Sequence, residues 1–158
     1  MKHNNIILKT IIIAMVALLI TSCSSKKDTD KKLKTFVLKQ PGIEMKIEYF
    51  GKDDTAFKQT IESKIVYDKF PAKGEALEKL KKEIKKISDQ YKNLKGVEYK
   101  INFAKEGITE KTTMNYRKVE FEKIKKIPGM MFTEDPVNGV SLKKTIPMLE
   151  KQGFKEVK

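Results

Sequence analysis

Histidine, cysteine, arginine and tryptophan are almost missing from this 158-residue chain. It has one His, one Cys and no Trp, and Arg117 is the sole arginine among 34 basic residues. A single cysteine excludes an internal disulfide framework and any thiolate metal cluster. No glycine-rich phosphate loop occurs, no internal repeat is visible, and the longest uncharged apolar run is short. What remains is 39% apolar residues with 8% aromatic, enough for a packed core, and 35% charged residues with a formal net charge of +13. The charged share exceeds the roughly 25% typical of globular chains. The length allows one ordinary domain plus processing and tethering segments.

The strongest local signal lies at the start. Lys2, His3 and Lys9 form a basic segment, and Thr10 to Ile20 (TIIIAMVALLI) is the apolar run. Eleven helical residues span about 17 Å, against about 30 Å of bilayer hydrocarbon. A secretory signal fits, and a permanent transmembrane helix does not. The run ends in Ile20-Thr21-Ser22-Cys23, which resembles the bacterial lipobox: an aliphatic residue, two small residues, then an obligatory cysteine. The Cys23 sulfur is the nucleophile that would take up diacylglycerol as a thioether. Cleavage before it would free an amine for a further acyl chain. At about 0.8 kcal/mol per buried CH₂, two or three chains hold a protein on a bilayer where one does not. Residues 1–22 are therefore expected to be a leader, and residues 23–32 a lipidated cysteine with a polar tether (SSKKDTDKK). A coil of that length reaches roughly 15–18 Å. Residues 33–158 are expected to form a single domain. Loss of Lys2 and Lys9 lowers the basic count to 32 against 21 acidic residues, a net of +11, and loss of His3 leaves no imidazole.

From Leu33 the pattern alternates. Phe36 and Leu38 begin it; Ile43, Met45, Ile47 and Tyr49 share one face beyond Pro41-Gly42; Phe57, Ile61, Ile65 and Tyr67 follow the turn at Gly51-Lys52-Asp53-Asp54. Glu44, Lys46, Glu48, Lys58, Glu62 and Lys64 occupy the other face, the signature of antiparallel strands wet on one side. The period then changes: Leu77, Leu80, Ile84, Ile87, Tyr91 and Leu94 form one stripe of a helix of about five turns, with Lys79, Lys81, Lys82, Lys85, Lys86 and Lys92 opposite. Glu75–Lys79 and Glu78–Lys82 stand at favourable i,i+4 spacing. Alternation returns at Val97, Tyr99, Ile101 and Phe103, and again from Ile108 to Val119. Phe121, Ile124 and Ile127 suggest a short helix ended by Pro128-Gly129. Ser141 suggests the cap of a last helix carrying Leu142, Ile146 and Leu149, which Pro147 should kink or delay. The expected fold is α+β: an antiparallel sheet of about five strands, one long amphipathic helix packed on it, and one or two short C-terminal helices.

Four segments carry a family resemblance: Lys58-Gln59-Thr60-Ile61-Glu62-Ser63-Lys64-Ile65, Tyr91-Lys92-Asn93-Leu94-Lys95-Gly96-Val97-Glu98, Lys118-Val119-Glu120-Phe121 and Gly153-Phe154-Lys155-Glu156-Val157-Lys158. In this order, behind the lipobox, they resemble the YehR-type lipoproteins, small bacterial lipoproteins of unknown function. The resemblance implies an α+β domain on a lipid anchor and carries no catalytic residues with it.

Without histidine, Ser-His-Asp and Cys-His relays are absent from the mature chain, and zinc would have only carboxylates. Ser141-Leu142-Lys143-Lys144 matches S-x-x-K, but so does Ser24-Ser25-Lys26-Lys27, and the companion S-D-N and K-T-G motifs are missing. Asp53-Asp54 and Glu134-Asp135 read as solvated turn residues. An extracytoplasmic address and a single arginine oppose nucleic acid as a partner. The expected partners are the bilayer through Cys23, an anionic envelope surface for the lysines, and a protein or small molecule. Ile127-Pro128-Gly129-Met130-Met131-Phe132 is the one apolar stretch outside a clear element, which makes Met130, Met131 and Phe132 candidates for a contact patch. The sequence thus points to a non-enzymatic binding lipoprotein on the extracytoplasmic face of a cell membrane. No cofactor is expected beyond the lipid on Cys23. A Ser/Lys or carboxylate enzyme acting on envelope polymers is the alternative.

Overall fold

The computed structural model describes residues 31–127 and 135–157. Three long strands open the fold: β1 (Lys31–Gln40), β2 (Ile43–Lys52) and β3 (Thr55–Val66). They pair as a meander, with Phe36 opposite Ile47 and Ile47 opposite Ile61. The β1–β2 turn depends on Gly42, whose φ of +74° belongs to the left-handed region and whose missing Cβ would lie 2.5 Å from the Phe70 backbone nitrogen. Any side chain there would collide with backbone. At the β2–β3 turn Asp53 takes φ +52°, a conformation that aspartate tolerates better than most residues.

Helix α1 (Gly74–Tyr91) then crosses to the far edge, where β4 (Val97–Phe103) lies, and β5 (Gly107–Asn115) returns between β4 and β3. A four-residue helix α2 (Phe121–Ile124) follows. Strand β6 (Val140–Ser141), helix α3 (Leu142–Lys151) and strand β7 (Lys155–Val157) complete the chain. The sheet order is β4-β5-β3-β2-β1-β7, with β6 paired to the start of β3. All pairings are antiparallel.

The α+β class and the long helix stand as expected, but among the described residues the sheet has seven strands, two more than the alternation indicates. β6 and β7 have two and three residues, too few to write a period. β5 stops at Asn115, because Tyr116–Lys118 turn away to place the Tyr116 ring inside the core. Helix α1 ends at Tyr91, three residues before Leu94. Pro147 neither delays nor ends α3. It sits on the solvent side, and the carbonyl its missing N–H would have bonded belongs to exposed Lys143, where water can serve.

The core lies on one side of the sheet. Phe36, Leu38, Met45, Ile47, Tyr49, Ile65, Ile108 and Met114 project from the strands to meet Leu80, Ile84 and Tyr91 of α1 and Leu142 and Leu149 of α3. The buried line of α1 runs Leu80, Ile84, Ser88, Tyr91, while Leu77 and Ile87 flank it half-buried. Ser88 can be buried because its hydroxyl donates to the Lys85 carbonyl at 2.7 Å. The opposite face of α1 is a run of short-range ion pairs. Glu75 binds Lys79 at 2.8 Å as expected, but Glu78 binds Lys81 at 2.7 Å in place of Lys82. Lys81 has the better position because its ammonium also lies 4.4 Å from the centre of the Tyr67 ring.

Candidate functional site

Both main helices bury their apolar residues against one side of the sheet, so the alternate residues of the strands face outward. Cross-strand register arranges them in rows. One row runs Val37, Lys46, Glu62, Lys111, Lys100 across β1, β2, β3, β5 and β4. The next runs Glu44, Lys64, Thr109, Asn102 across β2, β3, β5 and β4. These nine residues line a cavity of about 510 Å³ in the open face. Ser63, Ile101 and Glu110, which alternate with them along the strands, contribute to its floor.

The charges in this groove are unevenly matched. Glu62 accepts from Lys111 Nζ at 2.7 Å, and that hydrogen bond holds its carboxyl below the usual range. Lys46 pairs with Glu48 at 3.0 Å, and Glu44 pairs with Lys39 at 3.3 Å. Lys64 and Lys100 have no carboxylate within ion-pair distance among the described residues. Lys100 also stands directly opposite Lys111 in the β4–β5 ladder, an in-register pair of like charges.

Beneath the groove, on the core side, Glu110 sits opposite Ser63 and accepts its hydroxyl hydrogen at 3.2 Å. Burial raises the Glu110 carboxyl above its ordinary range, while the Ser63 and Tyr99 hydroxyls beside it act in the other direction. The Tyr99 ring stacks on Tyr91 with centroids 5.0 Å apart and planes 10° from parallel. This cluster locks the end of α1 onto β4. No second carboxylate shares its setting among the described residues, so it lacks the paired acid and base that hydrolysis by two carboxylates requires. A second buried polar group joins Tyr116, which donates to Gln59 Oε1 at 2.6 Å. Both side chains are fully buried, and burial drives the Tyr116 and Tyr49 hydroxyls well above the usual phenol range.

The sequence-derived candidates separate clearly. Ile20, Thr21, Ser22, Cys23, Met130, Met131 and Phe132 lie outside the described residues, as do tether residues 24–30, Pro128-Gly129 and Glu134. Lys31 and Lys32, expected to end the tether, instead begin β1 opposite Gly51 and Phe50, because the ladder with β2 extends past the apolar alternation. Ser141 occupies the position before α3 but does not cap the helix with its own side chain. Its hydroxyl donates to Asp54 Oδ2 at 2.6 Å, and Asp54 Oδ1 accepts from the Lys143 backbone N–H at 2.7 Å. The Leu142 N–H binds the Asp54 carbonyl at 2.8 Å. Asp54 is therefore the cap of α3, supplied from the β2–β3 turn, 89 residues earlier in the chain. The S-x-x-K hydroxyl is committed to a carboxylate, and Lys143 and Lys144 are exposed.

Sequence reasoning missed the groove and the Asp54 cap for a common reason. Alternation marks Lys46 and Lys64 as outward-facing. Their convergence with Lys111 and Lys100, however, depends on β5 inserting between β3 and β4, which no local pattern records.

The family resemblance is supported by sequence and by structure. The chain is 34% identical over 149 residues to the uncharacterized lipoprotein Lin0239 of Listeria innocua, covering 94% of each chain. It is 28% identical over its whole length to the uncharacterized lipoprotein YehR of Escherichia coli K12, covering all of that protein. The solution structure of E. coli YehR superposes with a TM-score of 0.60 at 31% identity, over 84% of this chain and 94% of the other. A Streptococcus pneumoniae protein solved by NMR shares the fold at 14% identity, with a TM-score of 0.54 over 89% and 93% of the two chains. A family model described as a protein of unknown function (DUF1307) matches residues 32–155, and the chain belongs to that family.

Proposed function

We propose that this protein is a lipid-anchored, extracytoplasmic binding module, tethered through Cys23 and presenting the open face of its sheet to a ligand. The observation that carries the reading is the division of the sheet. One face is sealed by α1 and α3, while the other holds a polar groove of about 510 Å³ that no described element covers. Its lipoprotein relatives support the anchor, and the lipobox supplies its chemistry.

The enzymatic alternative would be favoured by Ser141 beside a desolvated lysine, or by two buried carboxylates in one cleft. Ser141 is held by Asp54, and Glu110 is a single buried carboxyl on the core side. Binding is therefore the better reading of the geometry.

Growth of the native host with radioactive palmitate should label the wild-type chain and leave Cys23→Ala unlabelled. Protease added to intact cells, after removal of any outer layer, should digest the domain. Persistent labelling of the alanine variant, or full protection from protease, refutes the anchored extracytoplasmic reading.

A further inference from the structure

We propose that the groove on the open face is a binding site for a linear phosphodiester polymer, which lies across the strands with Lys64 and Lys100 as its principal contacts. This deepens the binding-module reading and rests on it.

The Lys100–Lys111 register is the first ground. Like charges facing each other across a ladder, with Cβ atoms about 5 Å apart, repel each other. Lys111 is partly relieved by Glu62 at 2.7 Å, whereas Lys100 has no anionic partner among the described residues. An anion between them would turn this local repulsion into attraction.

The second ground is the spacing of the lysines. The groove carries one lysine on each of four adjacent strands: Lys46 on β2, Lys64 on β3, Lys111 on β5 and Lys100 on β4. Strands stand about 4.8 Å apart, so the groove from β1 to β4 spans about 19 Å. That length suits an extended chain with charge repeated along it better than a single compact anion. The volume of about 510 Å³ falls within the range of ligand sites.

The third ground concerns ligand chemistry. The groove contains no arginine, so the planar two-pronged donor suited to base edges and bidentate contacts is missing; its lysine ammoniums act as point charges that can follow a row of backbone phosphates without orienting any one of them. Glu44, Thr109 and Asn102 offer hydrogen-bond partners to the hydroxyls of a polyol or sugar between phosphates. The groove also lies near the Val37 end of β1, six residues and about 20 Å from Lys31, where the tether joins. That distance places it away from the anchor and favours a polymer over the headgroups of the same bilayer.

The test uses the full chain in detergent and a fluorescein-labelled synthetic glycerol phosphate oligomer, with affinity read by anisotropy at fixed salt. Lys64→Ala and Lys100→Ala should each weaken binding about tenfold, the scale of one charge-assisted contact. Lys82→Ala/Lys85→Ala removes two charges from α1 on the other side of the sheet, one more than either groove variant, and should leave affinity unchanged. Each groove substitution should also lower the salt dependence by about one unit of slope. Equal loss in the α1 variant would reduce the effect to general charge and overturn the site. Equally tight, Lys64- and Lys100-dependent binding of polyglutamate would overturn the phosphodiester assignment. Absence of oligomer binding, with Lys100-dependent binding to phosphatidylglycerol vesicles, would replace the polymer with a bilayer surface. None of these outcomes bears on palmitate labelling of Cys23, which tests the anchor separately.

Discussion

Asp54→Ala should unfold the domain more readily through the loss of a helix cap that the local sequence does not advertise. Two hydrogen bonds to the carboxylate disappear, from Lys143 N–H at 2.7 Å and from the Ser141 hydroxyl at 2.6 Å. Loss of a side-chain cap costs about 1 kcal/mol, and loss of a negative charge at a helix N-terminus a few tenths more. Ser141 is buried, so its hydroxyl loses its partner without full access to water, which adds about 1 kcal/mol. The total is about 2 kcal/mol, or a fall of about 8 °C in Tm for a domain of this size. Urea denaturation followed by circular dichroism measures it directly. Asp54→Asn keeps an acceptor and removes the charge, and should cost about 0.5–1 kcal/mol. In the Asp54→Ala background, Ser141→Ala should cost less than it does alone, because its partner has already gone. If Asp54→Ala lies within about 0.5 kcal/mol of wild type, Asp54 is an ordinary solvated turn residue and the cap assignment fails.

Two further substitutions probe the buried polar groups. Tyr116→Phe leaves Gln59 Oε1 without its donor in a site with no solvent access, at a cost of about 1–3 kcal/mol; adding Gln59→Met should recover part of that loss, and equal stability of Tyr116→Phe and wild type would refute the bond. Glu110 has a folded-state pKa raised above the ordinary 4.5, so its stabilising contribution is full below that pH and is lost as pH rises through the raised value. Glu110→Gln cannot ionise, so its stability relative to wild type should grow from pH 4 to pH 7, and a flat or falling difference in urea titrations would contradict the burial of this carboxyl.

Elements whose own residues determine their packing were readable in the chain. β1, β2 and β3 announce themselves through Phe36, Ile47, Tyr49 and Ile61 in strict alternation, and α1 through its stripe from Leu80 to Tyr91. Ser88 escaped that stripe because its burial depends on a bond to the Lys85 carbonyl and not on its polarity. β6 and β7 escaped because a strand of two or three residues is defined by its neighbour: Ser141 by Thr55, and Lys155 by Val37. The Asp53-Asp54 turn was recognised as a turn, yet its second carboxylate finds its role only when α3 arrives from the far end of the chain. Of the groove lysines, Lys46 and Lys64 were visible singly as outward-facing residues, and only the strand order brings them beside Lys111 and Lys100.

The same strand order explains how a like-charge pair persists in the sheet. Cross-strand pairs contribute roughly 0.2–1 kcal/mol each, so Lys100 opposite Lys111 is a small penalty. On the reverse side of β4 and β5, Tyr99 lies opposite Thr112 and stacks on Tyr91, and Val97 lies opposite buried Met114. Burial of one aromatic or aliphatic side chain contributes about 1.5–3 kcal/mol, several times the cost of the repulsion. The inner face therefore sets the register, and the outer face must accept whatever pairs that register produces. Moving β4 by one residue to separate the two lysines would turn Val97, Tyr99 and Ile101 to solvent. A face that does not set the register is free to keep unpaired ammoniums. Lys100→Glu should then stabilise the free domain slightly by pairing with Lys111 while abolishing binding of the phosphodiester probe. A variant that gains stability and retains affinity would break the link between that repulsion and the site.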